Sequence, residues 1–178
     1  MLGKSVFRRI YSLPVPSVAA IDGHALGLGC VTAMACQKRY MVDSKKLIGL
    51  NEVAVGMPVP EWLGVRFRDL TGSRVAEDLL GVGAALTVTE ACSAGLVDSV
   101  FASKSEMDAA AVDFLQTRAA VSAYAQSETL GALRRHFLDY FDQSSERDNE
   151  RFWAAISHPD TQRSIERALE KLSSRKKK

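Results

Sequence analysis

Apolar positions along the chain follow two regimes. Up to about residue 102 they fall in short runs of β-branched and small residues separated by glycine turns; beyond it they recur at helical spacing to the end. Residues 15–22, VPSVAAID, predict a short buried strand, and the glycine turn GHALGLG leads into a helix over about 29–38. That helix is apolar nearly all round, so it is expected to be buried. RYMV and KLIGL predict further strands, and strand, glycine turn, helix and strand together define an α/β unit with a parallel crossover. Ahead of them SVFRRIYSLP reads as an amphipathic helix, with Val6, Ile10 and Leu13 on one side and Pro14 ending it.

The loop GMPVPEWLG opens a helix near Glu61, and Ser73 is expected to cap the next, with Ala76, Leu79 and Leu80 facing inward. Thr87 and Glu90 have the T-x-x-E spacing of a capping box, and Gly95 stops that short helix. Ser103 and Glu106 repeat the spacing before a long helix bearing Met107, Ala111, Phe114 and Leu115. Leu130, Leu133, Phe137 and Phe141 continue the periodicity, and Pro159 suits the first turn of a last helix with Ile165, Leu169 and Leu172. The expected layout is therefore an α/β core over 1–102 and a helical region over 103–178 that packs on the core or on a neighbour.

Composition narrows the function classes. The 178 residues are 47% apolar and carry a net charge of +2, enough core for one domain and too little charge for nucleic acid to be the main partner. Much of the positive excess lies in the terminal SRKKK, read as a solvated tail. Cys30, Cys36 and Cys92 lie in apolar helical settings and read as reduced core thiols, and no Cys/His spacing matches a zinc site. No run approaches the length of a membrane span.

Two features carry candidate chemistry. At the glycine turn, free backbone N–H groups and the positive end of a helix dipole suit an anion or a developing oxyanion. In IGLNEVAVG, Glu52 follows an apolar strand; a carboxylate held among Leu50, Val53 and Val55 is partly desolvated, its pKa rises, and it becomes a fair general base and acid on carbon.

These residues also carry a family likeness. PSVAAIDGHALGLGCVTAMACQKRYMV resembles the glycine-turn segment of the crotonase (enoyl-CoA hydratase/isomerase) superfamily, and GLNEVAVGM, LTGSRVAEDLL and TEACSAGLVDSVF follow in the family's order. GLNE, PEWL and the basic C-terminus look most like the mitochondrial Δ3,Δ2-enoyl-CoA isomerase branch. The resemblance implies a crotonase-like spiral of ββα units, truncated at its N-terminus, with a C-terminal region of helices for trimerisation or as a lid. It makes the basic N-terminal segment an internal helix and not a transit peptide.

By the same resemblance the Leu28 N–H donates to the thioester oxygen as charge builds there, with Gly27, Gly29 and Asn51 contacting the substrate, Asn51 through its backbone. Glu52 takes the place of one of the two hydratase glutamates, and Val31 stands where the other would be. One carboxylate without its partner fits isomerisation of a 3-enoyl-CoA to the conjugated 2-enoyl-CoA better than addition of water. Glu61 is a second candidate for the base. The implied partners are an acyl-CoA substrate and further copies in a homo-trimer or homo-hexamer, with no cofactor and no metal, in the mitochondrial matrix. Two departures stand against this. Leu28 replaces a glycine, so its side chain is expected to crowd the thioester, and the family's first strands, with a second oxyanion donor and much of the adenine pocket, have no counterpart here. A catalytically inactive subunit acting through oligomer assembly is therefore the alternative reading. Lys45, Lys46 and the terminal lysines are unranked candidates for the CoA phosphates.

Overall fold

In the computed structural model, which describes residues 2–175, the chain forms nine α-helices and six strands among the described residues. Helix α1 (Leu2–Tyr11) precedes β1 (Val18–Ile21), β2 (Ala25–Leu26), α2 (Leu28–Ala35), β3 (Lys38–Val42) and β4 (Leu47–Gly49). Then come α3 (Glu61–Thr71), α4 (Ser73–Leu80), β5 (Leu86–Thr87), α5 (Val88–Ser93) and β6 (Ser99–Phe101). The chain closes with α6 (Lys104–Ala119), α7 (Ala123–Gln143), α8 (Ser145–Ser157) and α9 (Pro159–Arg175).

The strands make two small sheets. β1, β3 and β6 lie side by side and parallel, with Val18 opposite Lys38 and Tyr40 opposite Ser99. β2 pairs parallel with β4, and β4 antiparallel with β5, where Leu47 faces Thr87. The crossover from β1 to the parallel β3 runs through α2, as the sequence pattern predicts. That helix ends at Ala35 and buries Cys30, Val31, Ala33, Met34 and Ala35. On α6, Met107, Ala111 and Phe114 form a separate cluster with Tyr40.

The rest of the core is gathered around Phe7, which is fully buried. Its ring stacks on Tyr11 at 5.4 Å and Phe141 at 5.7 Å, and meets Trp62 at 4.9 Å and Phe137 at 5.9 Å. Four aromatic partners from α1, α3 and α7 thus meet one ring, each pair adding to its area burial. A mostly buried ion pair ties β3 to the loop before β6: the Arg39 guanidinium pairs with Asp98 at 2.5 Å and donates to the Leu96 and Cys36 carbonyls.

Several local expectations are corrected. The buried face of α1 carries Phe7 and Tyr11, while Leu13, beyond the helix, is 38% exposed. Gly72, not Ser73, occupies the N-cap of α4. Leu115, Leu133 and Leu169 face solvent, because α6, α7 and α9 bury narrower stripes than their apolar spacing suggests, and Cys92 is exposed and not a core thiol, because α5 buries Val88 and Ala91 instead. The Thr87–Glu90 capping box forms in both directions, and Ser103 accepts from the Glu106 N–H at 3.2 Å. The side chain of Leu172 and residues 176–178 lie outside the described residues.

Phe7→Ala is expected to cost about 3–5 kcal/mol, the usual range for emptying a buried aromatic position. Urea unfolding followed by tryptophan fluorescence measures it; a cost below about 1 kcal/mol would show that the cluster does not organise the core.

Candidate active site

The glycine turn has a specific backbone geometry. Gly27 stands at the N-cap of α2 with φ 52°, a conformation that favours glycine. Its N–H donates to the Gly49 carbonyl at 3.0 Å, and its own carbonyl accepts from the Val31 N–H at 2.9 Å. The amides of Leu28, Gly29 and Cys30 follow, in the turn that an α-helix leaves without internal acceptors, at the positive end of the helix dipole. The Leu28 side chain is 55% exposed, and its Cδ1 lies 3.1 Å from where a Cβ on Gly3 would stand. It therefore leans on α1, and the bare face of Gly3 makes room for it.

Glu52 follows β4 and opens the short 3-10 turn Val53–Val55. Its carbonyl accepts from the amides of Val55 and Met57, both at 3.0 Å. Helix α9 braces the turn from outside: Thr161 Oγ1 donates to the Gly56 carbonyl at 2.8 Å, and Gly56, at φ 82°, is seated against Ser164. Glu52 Oε2 is buried with no hydrogen-bond partner among the described residues. Burial pushes the Glu52 pKa above its ordinary 4.5, offset in part by the residue's own backbone amide. Behind it the buried Cys30 thiol is pushed up to about 12, first by burial and then by the Glu52 carboxylate, so it stays a neutral packing group.

Glu52 and Leu28 line one cavity of about 360 Å³. Its walls are mostly apolar, with Val31, Trp62, Leu63 and Phe152 among them, and Lys4, Asp148 and Asn149 supply the other polar groups. Such a space, with few polar groups in apolar walls, has the make-up of a small-molecule site. Asn51 lies outside this lining, beside the turn, with its Oδ1 3.9 Å from where a Cβ on Gly27 would stand. Gly29 lies over Ala25, whose Cβ is 3.6 Å from the same point on Gly29. Glu61 is held outside this lining: it accepts from Arg147 at 3.3 Å and Arg151 at 2.7 Å, and lines an adjoining hollow of about 460 Å³ that shares Pro60, Asp148 and Phe152 with the first. Lys45 and Lys46 are exposed and away from the cavity lining.

Sequence reading missed Lys4 and Asp148. Lys4 Nζ lies 3.5 Å from Asp148 Oδ2, and their side chains are only 11% and 4% exposed. Asp148 belongs to the charged run SERDNERFW, which in isolation describes a solvated helix; its burial comes from where α8 docks. No local signal marks it.

With this geometry in place, comparison with known proteins identifies the class. The family described as enoyl-CoA hydratase/isomerase matches residues 3–177, and the chain belongs to that family. It is 30% identical over 174 residues to the enoyl-CoA delta isomerase 1, mitochondrial, of Rattus norvegicus, covering 97% of this chain and 60% of that protein. The crystal structure of human mitochondrial delta3-delta2-enoyl-CoA isomerase superposes with a TM-score of 0.91 at 27% identity, over 98% of this chain and 67% of that one. An enoyl-CoA hydratase from Bacillus halodurans shares the fold at a TM-score of 0.84 and 21% identity, over 93% of this chain and 65% of that one. The fold is thus the crotonase fold, and the chain spans about 60% of the length of the curated relative from rat.

The Glu52 pKa carries a stability prediction. A carboxyl whose folded pKa is raised stabilises the fold fully below its unfolded value and loses that contribution as pH climbs through the folded one. Glu52→Gln is therefore expected to raise Tm at pH 7, with the gain vanishing below about pH 4, under the ordinary value of 4.5. Thermal melts of both proteins across that range test it; a variant less stable at pH 7 would contradict the desolvation.

Proposed function

We propose that the chain carries the site of an enoyl-CoA isomerase, which moves the double bond of a 3-enoyl-CoA into conjugation as the trans-2-enoyl-CoA. The observation that carries this reading is the desolvated Glu52 carboxylate, its Oε2 without a hydrogen-bond partner among the described residues, lining the same cavity as Leu28 of the N-terminal turn of α2. Glu52 removes a proton from C2 of the bound thioester. The electron pair spreads over the dienolate, whose oxygen accepts from the Leu28 N–H, a preorganised donor of the kind that stabilises developing charge. The protonated Glu52 then returns the proton at C4, so no atom is gained or lost.

Gly27 and Gly29 shape the turn so that its backbone can approach the thioester, and Asn51 flanks it. Val31, 6% exposed in the cavity wall, occupies the place from which a hydratase's other glutamate would act on water, which favours isomerisation over hydration. The lean of Leu28 onto α1 is compatible with an accessible amide. No cofactor takes part in this chemistry. This reaction belongs to the oxidation of unsaturated fatty acids, and the likeness to mitochondrial isomerases supports a mitochondrial location, which the proposal takes as the matrix. Assembly into a homo-trimer or homo-hexamer belongs to the same proposal.

The test is formation of conjugated enoyl thioester from 3-enoyl-CoA by the purified chain, followed by absorbance. Glu52→Gln should lower kcat by about 10²–10⁴-fold, the range for loss of a positioned general base. Activity should rise with pH through the elevated Glu52 pKa, because the base must be ionised. A folded protein with no turnover, or turnover indifferent to Glu52→Gln, overturns the assignment, the first outcome favouring a subunit that acts through assembly alone.

A further inference from the structure

We propose that Lys4 and Asp148 form a subsite for a hydroxyl group carried on the acyl part of the thioester, so that the preferred substrates are hydroxylated acyl-CoAs. The inference rests on reading the Glu52 cavity as the acyl-thioester site. Asp148 lines that cavity with its side chain 4% exposed, and its Oδ1 is buried without a hydrogen-bond partner among the described residues. The other oxygen, Oδ2, is engaged by Lys4 Nζ at 3.5 Å and Ser144 Oγ at 3.1 Å. The carboxylate is thus held through one oxygen, while the other is buried without a donor among the described residues.

Lys4 complements it. The ammonium has three donors and spends one on Asp148. It lies 4.7 Å from the centre of the Phe141 ring and 6.0 Å from that of Trp62, contacts that hold a cation in place without consuming all its N–H groups. Asn149 adds an amide to the same wall. The subsite therefore presents an unfilled acceptor, Asp148 Oδ1, next to spare donors.

A hydroxyl is the group that answers both at once, donating its proton to Oδ1 while its oxygen accepts from Lys4 or Asn149. A carboxylate at this position would face Oδ1 with like charge, and an ammonium would face Lys4. A hydrocarbon tail filling the space would leave Oδ1 without a donor, which is unfavourable for a buried carboxylate. Sites built to bond a hydroxyl discriminate strongly against the analogue lacking it, because their polar groups are left unpaired.

The test is calorimetric binding of saturated acyl-CoAs, so that the readout does not depend on turnover. Plain and chain-terminal hydroxy acyl-CoAs of a graded series of lengths are titrated into the wild-type chain. At one length the hydroxylated ligand should bind about tenfold tighter or better. Asp148→Asn should reduce that ratio. The double substitution Lys4→Met with Asp148→Leu removes both charges together and leaves neither unpaired, so it should abolish the ratio while retaining binding of the plain ligand. Equal binding of the two ligands at every length, or a preference that survives the double substitution, overturns the subsite and leaves the isomerase reading standing. Absence of binding by any acyl-CoA overturns both.

Discussion

The structure depends on a single buried ring. Phe7 is the point at which α1, α3 and α7 are held to a common geometry, through contacts with Tyr11, Trp62, Phe137 and Phe141. Trp62 is also part of the cavity wall, and Lys4, one turn before Phe7, is another. A shift of α1 therefore moves the packing centre and the cavity together. The same helix presents the bare Gly3 to Leu28, so the position of the α2 turn is coupled to that packing. Close-packed interiors transmit such displacements because they have little free volume to absorb them.

The two chemical elements are fixed by different means. The α2 turn is a backbone device: Gly27 adopts a positive φ and gives its amide to Gly49, and the amides after it are the first-turn donors that a helix leaves without internal acceptors. Gly49 has to remain bare, since a Cβ there would collide with the Ala84 carbonyl. Glu52 is instead positioned by tertiary structure. Its turn follows β4 but is braced by α9, more than a hundred residues away, through Thr161 and Ser164. The C-terminal helices thus act on the site as well as lying beside the α/β layer.

Legibility of the sequence divides along the same line. Strands β1, β3 and β4, the α2 crossover and the Thr87 capping box depend on residues close in sequence, and the pattern of β-branched runs, glycines and T-x-x-E spacing reports them. Glu52 was legible as a carboxylate set among apolar neighbours. Burial on the long helices was less so: Leu133 continues the spacing of Phe137 and Phe141 yet is 75% exposed, because which stripe is covered depends on where other helices dock. Asp148 is the extreme case. Its neighbours Glu146, Arg147, Glu150 and Arg151 are exposed as their charges suggest, while one turn geometry carries Asp148 to the interior face beside Lys4. A pairing between residues 144 apart leaves no mark on either local pattern.

The surroundings of Glu52 favour its neutral form. In the free protein the ionised Glu52 is poorly solvated, with Oε2 lacking a donor and an apolar wall before it, and its proton affinity is correspondingly high. On the proposed reaction, taking up the C2 proton neutralises it in surroundings that suit a neutral acid. The negative charge passes to the thioester oxygen at the first turn of α2, where backbone amides and the helix dipole suit an anion. The neutral Cys30 thiol and the apolar Val31 beside this path add no competing charge. A second carboxylate at Val31 would have to share the same poorly solvated space with Glu52, and like charges there would keep one of them protonated. On the proposed reaction the apolar residue at position 31 spares Glu52 that repulsion, and the two states of the site differ only in where one negative charge rests.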